Sequence, residues 1–193
     1  AVQRESKNVR ENAGILDGST LGKIEIKGED ALEFMNLIYT NSFTKMKQGS
    51  ARYALMLGED GMVKDDGIIC KISDQHFIAT TTTGGAATVL GCMEEYAQTE
   101  WPNLKVFMNS ITEQYATFNI SGPKTREIMK KAFPNINFSN EEFPFMTFQF
   151  HEFNGVPIRI LRASFTGELG YEIYIPSNLS LIHISEPTRR STI

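Results

Sequence analysis

Hydrophobic and polar positions alternate most clearly in residues 22–28, where Ile24 and Ile26 are interleaved with Lys23, Glu25 and Lys27. A period of two is that of a strand with one buried face. Glu29 and Asp30 follow, well placed for the positive end of a helix dipole. Ala31, Phe34, Met35 and Ile38 then fall at i, i+3, i+4 and i+7, which predicts a helix whose apolar stripe lies on the sheet. Residues 52–57 and 62–72 read as strands joined by Asp60-Gly61 into a hairpin, and residues 75–83 continue the sheet. Beyond Thr83, Gly84 and Gly85, the stripe Val89, Leu90, Met93, Tyr96 and Ala97 predicts a second helix that Trp101-Pro102 ends.

Residues 104–111 and 114–120 read as another hairpin-like pair. Ser121 as N-cap and Pro123 near the first turn predict a short helix through Ala132. Residues 145–153 and 156–164, joined by Asn154-Gly155, predict a third hairpin, and residues 171–175 a last strand. Residues 1–12 are charged and aperiodic and read as a frayed lead-in. The expected class is α+β, a largely antiparallel sheet with packed helices, rather than the strict alternation of a doubly wound fold.

Composition narrows the function. With 193 residues, 41% of them hydrophobic, the chain can bury one good core. No apolar run approaches the roughly 18 to 20 residues of a membrane span, and the first residues lack an apolar signal core, so a cytoplasmic protein with no membrane partner is expected. A net charge of −4 argues against nucleic acid as a partner. Cys70 and Cys92 are too few for a disulfide framework, and three scattered histidines predict no metal site. No GxGxxG follows a strand and no GxxxxGK occurs, so neither a dinucleotide nor a P-loop site is expected. Gly84-Gly85 reads as the start of a helix rather than an anion cradle. Residues 179–193 (LSLIHISEPTRRSTI) change in character and read as a non-native tail, vector or adapter read-through, after a domain of residues 1–178.

Two constellations carry candidate chemistry. Asp65 and Asp66 lie in the middle of a predicted strand, where aspartate is disfavoured, and adjacent strand residues face opposite ways. Ile68, Cys70 and Ile72 share the parity of Asp66, whereas Lys71 shares that of Asp65, so Asp66 is expected to point inward. An inward carboxylate either caps a turn or pairs with an arginine, or it serves a ligand. In Ser164-Phe165-Thr166-Gly167-Glu168-Leu169-Gly170-Tyr171-Glu172, two glycines flank Glu168, which is either a carboxylate at the rim of a pocket or a solvated hairpin tip. Arg162 has the parity of Ile158 and Ile160 and is expected to point inward, within reach of either acid.

Seven stretches in order resemble the tetrahydrofolate-binding aminomethyltransferase superfamily, which includes the T-protein of glycine cleavage: ILDGSTLGKIEIKG (residues 15–28), YTN (39–41), ARYALML (51–57), EDGMVKDDG (59–67), SGPKTREI (121–128), FPFM (143–146) and SFTGELGYEIYIP (164–176). The Asp-Asp-Gly and Ala-Arg-Tyr segments, with Trp101-Pro102 and Phe-Pro-Phe-Met, are most similar to the C-terminal half of the alpha subunit of heterotetrameric sarcosine oxidase. The resemblance implies a folate-binding fold truncated at both ends. It implies tetrahydrofolate as the cofactor of this segment, with NAD and flavin confined to other parts of a complex that includes a flavin-bearing beta subunit. Asp66 matches the catalytic family acid at the bridging nitrogen of tetrahydrofolate, and Glu168 matches the acid that holds the pterin ring. Arg162 matches a family arginine near the same turn, and Tyr53 a position along the folate channel. The implied reaction is capture of the imine from sarcosine oxidation to give 5,10-methylenetetrahydrofolate. Glycine cleavage and a non-catalytic folate-fold module are the alternatives.

Overall fold

The structure, a computed structural model, describes residues 2–179. These divide into two compact units: Thr20–Thr112, and the residues up to Ser19 together with those from Glu113 on. Each is built on a five-stranded antiparallel sheet.

In the Thr20–Thr112 unit the strands are β2 (Gly22–Lys27), β3 (Ala51–Leu57), β4 (Val63–Ser73), β5 (His76–Thr81) and β6 (Phe107–Ser110), in the order β3-β4-β5-β2-β6. Helices α2 (Ala31–Ile38) and α3 (Ala86–Thr99) cover one face. The stripe read from the sequence, Ala31, Phe34, Met35 and Ile38, is buried, and it packs with Ile24, Ile26, Ala54, Met56, Ile69, Phe77 and Ala79. Each large side chain withdrawn from water in this way contributes roughly 1.5–3 kcal/mol. Asp30 stands at the start of α2 without a side-chain bond to the helix; its carboxylate instead accepts from the Lys105 amide at 2.8 Å. Trp101 follows the end of α3 and meets Phe34 edge-on and Tyr96 in a stack.

The other unit contains α1 (Val2–Glu11), β1 (Gly14–Asp17), β7 (Tyr115–Ser121), α4 (Thr125–Ala132), β8 (Thr147–Phe153), β9 (Val156–Arg162) and β10 (Gly170–Pro176), with strand order β1-β7-β10-β9-β8. Its core joins Met129, Phe138, Phe143, Ile158, Ile160, Tyr171 and Ile173. Asn154 and Gly155 both take positive φ (51° and 78°), the geometry a two-residue turn between β8 and β9 requires.

Three expectations are corrected. Residues 2–11 form a helix rather than a frayed lead-in. It has no buried residue to mark it in the sequence, and it is held from outside its own pattern. The Asn12 carbonyl accepts from the Lys124 amide at 2.9 Å, and Gly122 (φ 132°) lets the chain pass where a Cβ would stand 2.5 Å from the Asn12 oxygen. The strands β6 and β7 are not a hairpin: β6 pairs with β2, and β7 with β1 and β10. Ser121 is the last residue of β7, and Lys124 stands at the head of α4. The expected tail, residues 179–193, lies outside the described residues except for Leu179, which packs against the second core.

Candidate functional site

The Asp65-Asp66 pair is resolved opposite to the parity reading. Asp65, Ile69 and Lys71 face the helix-covered core, and Asp66 lies on the other face with Tyr53, Leu55 and Ile68. The more apolar-looking set was misleading because the polar residues on the core side are locally satisfied. Asp65 Oδ1 accepts from the Thr82 hydroxyl at 2.6 Å, and Oδ2 accepts from the Thr82 amide at 3.1 Å. Lys71 Nζ donates to the Phe43 carbonyl at 3.2 Å and pairs with Asp74 at 2.6 Å. Asp65 is therefore the turn-capping carboxylate. It fixes the loop that starts α3, where Gly85 is needed because a Cβ would come within 2.5 Å of Asp65 Oδ1. That loop holds an internal carboxylate.

Asp66 is half-buried, and its Oδ2 accepts a 2.6 Å hydrogen bond from the Tyr53 hydroxyl; Tyr53 is 53% exposed. Tyr53 lies opposite Ile68 and Asp66 opposite Leu55, so the bond runs along a diagonal of the β3–β4 hairpin. The neighbouring carboxylate favours the neutral phenol and raises the Tyr53 pKa, first through the hydrogen bond. Gly67 permits the β4 backbone to approach β5 here, since a Cβ would overlap the Thr80 carbonyl. The structure thus brings Tyr53 and Asp66 together on an accessible sheet face.

Glu168 and Arg162 belong to the other unit. The Glu168 side chain is 10% exposed; it pairs with Arg10 of α1 and accepts from the Thr166 hydroxyl. Arg10 also donates to the Thr166 carbonyl at 3.3 Å. The hydroxyl bond and then the guanidinium hold the Glu168 carboxyl below its usual range, so it is an ionised acceptor at neutral pH. Gly167 has φ 93°, which makes the sharp turn before Glu168 possible. Arg162 does not join it: its Nη1 ends on the Phe143 carbonyl at 2.6 Å, and its own carbonyl accepts from Met146 at 2.9 Å, so it braces the Phe-Pro-Phe-Met turn.

Arg10 and Thr166, which hold Glu168, were missed, because α1 carries no apolar stripe and a threonine in a glycine-rich turn is unremarkable. Asn119 was missed as well. Its signal was present: Thr117, Asn119 and Ser121 alternate with Phe118 and Ile120 in β7, giving a polar face to a buried strand. Among the described residues no helix is long and apolar enough to cross a membrane.

Comparison with known proteins places these features in context. The family model described as the GCVT N-terminal domain matches residues 1–184. Sarcosine oxidase subunit alpha of Corynebacterium sp. (strain P-1) is 52% identical over 92% of this chain, and that of Rhizobium meliloti 45% over 92%; in each case the chain spans 18% of the relative's length. An aminomethyltransferase of Chlorobium phaeovibrioides is 31% identical over 93% of the chain and 48% of its own length. The chain thus spans less than half of the curated relatives it matches. Among solved structures, aminomethyltransferase T of the glycine cleavage system from Bartonella henselae superposes with TM-score 0.82 at 22% identity, covering 94% of this chain and 47% of that one. Heterotetrameric sarcosine oxidase from Corynebacterium sp. U-96 superposes with TM-score 0.60 at 11% identity, covering 93% of this chain and 85% of that one.

Proposed function

Since the chain belongs to the GCVT N-terminal domain family, we propose that it is the tetrahydrofolate-binding part of a sarcosine oxidase alpha subunit, residues 1–178 forming that domain. The observation that carries this reading over glycine cleavage is the identity, 52% to a sarcosine oxidase alpha subunit against 31% to an aminomethyltransferase over the same span. The residues fit a folate on their own chemistry. Glu168 is an ionised acceptor suited to the amino and ring N–H groups of a pterin, and Asp66 is an accessible carboxylate beside a hydroxyl.

Bound folate supplies the amine nitrogen that captures a one-carbon unit. Glu168 orients the ring, and Arg162 braces the Phe143–Met146 turn. Asp66 serves as general base or electrostatic partner where positive charge develops, an effect worth roughly two to four decades in rate. Tyr53 holds the Asp66 carboxylate in place. The sarcosine imine would come from a flavin-bearing beta subunit of a heterotetramer, with NAD and flavin bound outside this segment and the complex in the cytoplasm. The test is product partition in the intact protein with its partner subunits. Adding tetrahydrofolate should give 5,10-methylenetetrahydrofolate in place of released formaldehyde, whereas use of a lipoyl-borne aminomethyl group would establish a glycine cleavage T-protein.

A further inference from the structure

In the unit that contains α1, a cavity of about 560 Å³ has Val9, Gly14, Leu16, Asn119, Ser121 and Thr166 among its walls. That volume falls in the range of small-molecule sites. Asn119 is 5% exposed, and its amide oxygen accepts from the Ser121 hydroxyl at 2.5 Å. With the amide oxygen engaged in this way, Nδ2 is the remaining donor. Nδ2 is buried and has no hydrogen-bond partner among the described residues. A buried donor left unmade is costly, so a site that keeps one is built to meet an acceptor. Register places Asn119 opposite Leu16 and Ser121 opposite Gly14, so donor and apolar wall stand side by side on the same sheet face. Thr166 completes the connection, since it lines the cavity and its hydroxyl is bonded to Glu168.

We propose that this cavity receives the oxo-bearing edge of a flat heterocycle, with Asn119 Nδ2 donating to a ring carbonyl oxygen, so that Asn119 selects 4-oxo over 4-amino pteridines. The inference rests on the folate reading above and adds the group that discriminates within it. An exocyclic amine at the same ring position would set donor against donor and leave both buried and unpaired, the arrangement by which hydrogen-bonding sites reject close analogues.

The experiment is calorimetric titration of the intact protein with tetrahydrofolate and with its 4-amino analogue, in the wild type and in Asn119→Asp. The substitution replaces the free donor by an acceptor of the same shape. The wild type should prefer the oxo compound by tenfold or more, and Asn119→Asp should abolish or reverse that preference while the melting temperature stays within a few degrees. Equal wild-type affinities, a wild-type preference for the amino compound, or an unchanged preference in a folded Asn119→Asp would overturn the inference and leave the folate reading standing. Because a 4-amino ring also lacks the N3–H that Glu168 would accept, only the change on substitution assigns the preference to Asn119; if Asn119→Asp does not fold, Asn119→Ala, which removes the donor, is read in its place, and an unchanged preference there overturns the inference. Binding of neither compound to the wild type would defeat the folate reading and this inference with it.

Discussion

The Tyr53 hydroxyl donates to Asp66 Oδ2 at 2.6 Å across the β3–β4 hairpin, on the sheet face that turns away from α2 and α3. The bond joins an exposed phenol to a half-buried carboxylate, so it orients the acid without closing it off. Its electrostatic signature is a phenol that ionises above its usual range.

That signature is measurable by ultraviolet titration, using Tyr53→Phe to isolate one of the six tyrosines. The Tyr53 midpoint should lie above the ordinary value of 10.0, and Asp66→Asn should bring it down, because the amide oxygen still accepts but carries no charge. An unaltered midpoint in Asp66→Asn would mean that the two groups do not meet in solution.

The adjacent aspartates should respond differently to substitution. Asp65→Ala strands the Thr82 hydroxyl and amide beside the core and should cost about 1–3 kcal/mol in denaturant unfolding. Asp66→Asn, whose visible bond is to an exposed tyrosine, should cost less than about 1 kcal/mol. If the chain works as proposed, Asp66→Asn in the complex with its partner subunits should leave sarcosine oxidation intact but release formaldehyde in place of methylenetetrahydrofolate. A variant with unchanged methylenetetrahydrofolate yield would remove Asp66 from the chemistry.

Glu168 offers a pH test. Because its carboxyl is depressed on folding, the stability it contributes is present above the unfolded value of 4.5 and is lost as pH falls through its lower folded midpoint. Carboxyl NMR should place that midpoint below 4.5, and Thr166→Ala should move it upward, since the hydroxyl bond is the first cause of the shift. Glu168→Gln should weaken tetrahydrofolate binding about ten- to hundredfold, and unaltered affinity would reduce Glu168 to a hairpin tip.

The reading of residues 179–193 as non-native predicts that deleting residues 180–193 leaves the melting temperature unchanged or raises it. Leu179 is kept in that truncation because it packs on the second core. A loss of several degrees on calorimetry would show that the deleted segment contributes to the fold.

What the sequence disclosed tracks the range of the interactions involved. The α2 stripe and the β2 alternation were legible because one local period fixes which side chains are buried. The Asp65-Asp66 orientation was not, since hydrogen bonds from Thr82 to Asp65 and from Lys71 to the Phe43 carbonyl make a polar set suitable for the core side, and these partners are distant in sequence. Strand β6 was misassigned for a similar reason: its partner β2 lies far earlier in the chain. Among the candidate residues, Asp66, Tyr53 and Glu168 were named from their motifs, whereas Arg10 acquires significance only through its contact with Glu168, 158 positions away, and Asn119 through the cavity it lines.

The division of the chain into units also sets an order of synthesis. Thr20–Thr112 is continuous, so every strand of its sheet has been made before β7 begins. The other unit must wait. Its first strand, β1, pairs with β7 about a hundred residues later, a closure whose entropic cost is met only once that partner exists. Until β7 is made, β1 therefore has no strand to pair with, and Ile15 and Leu16 stay outside any sheet.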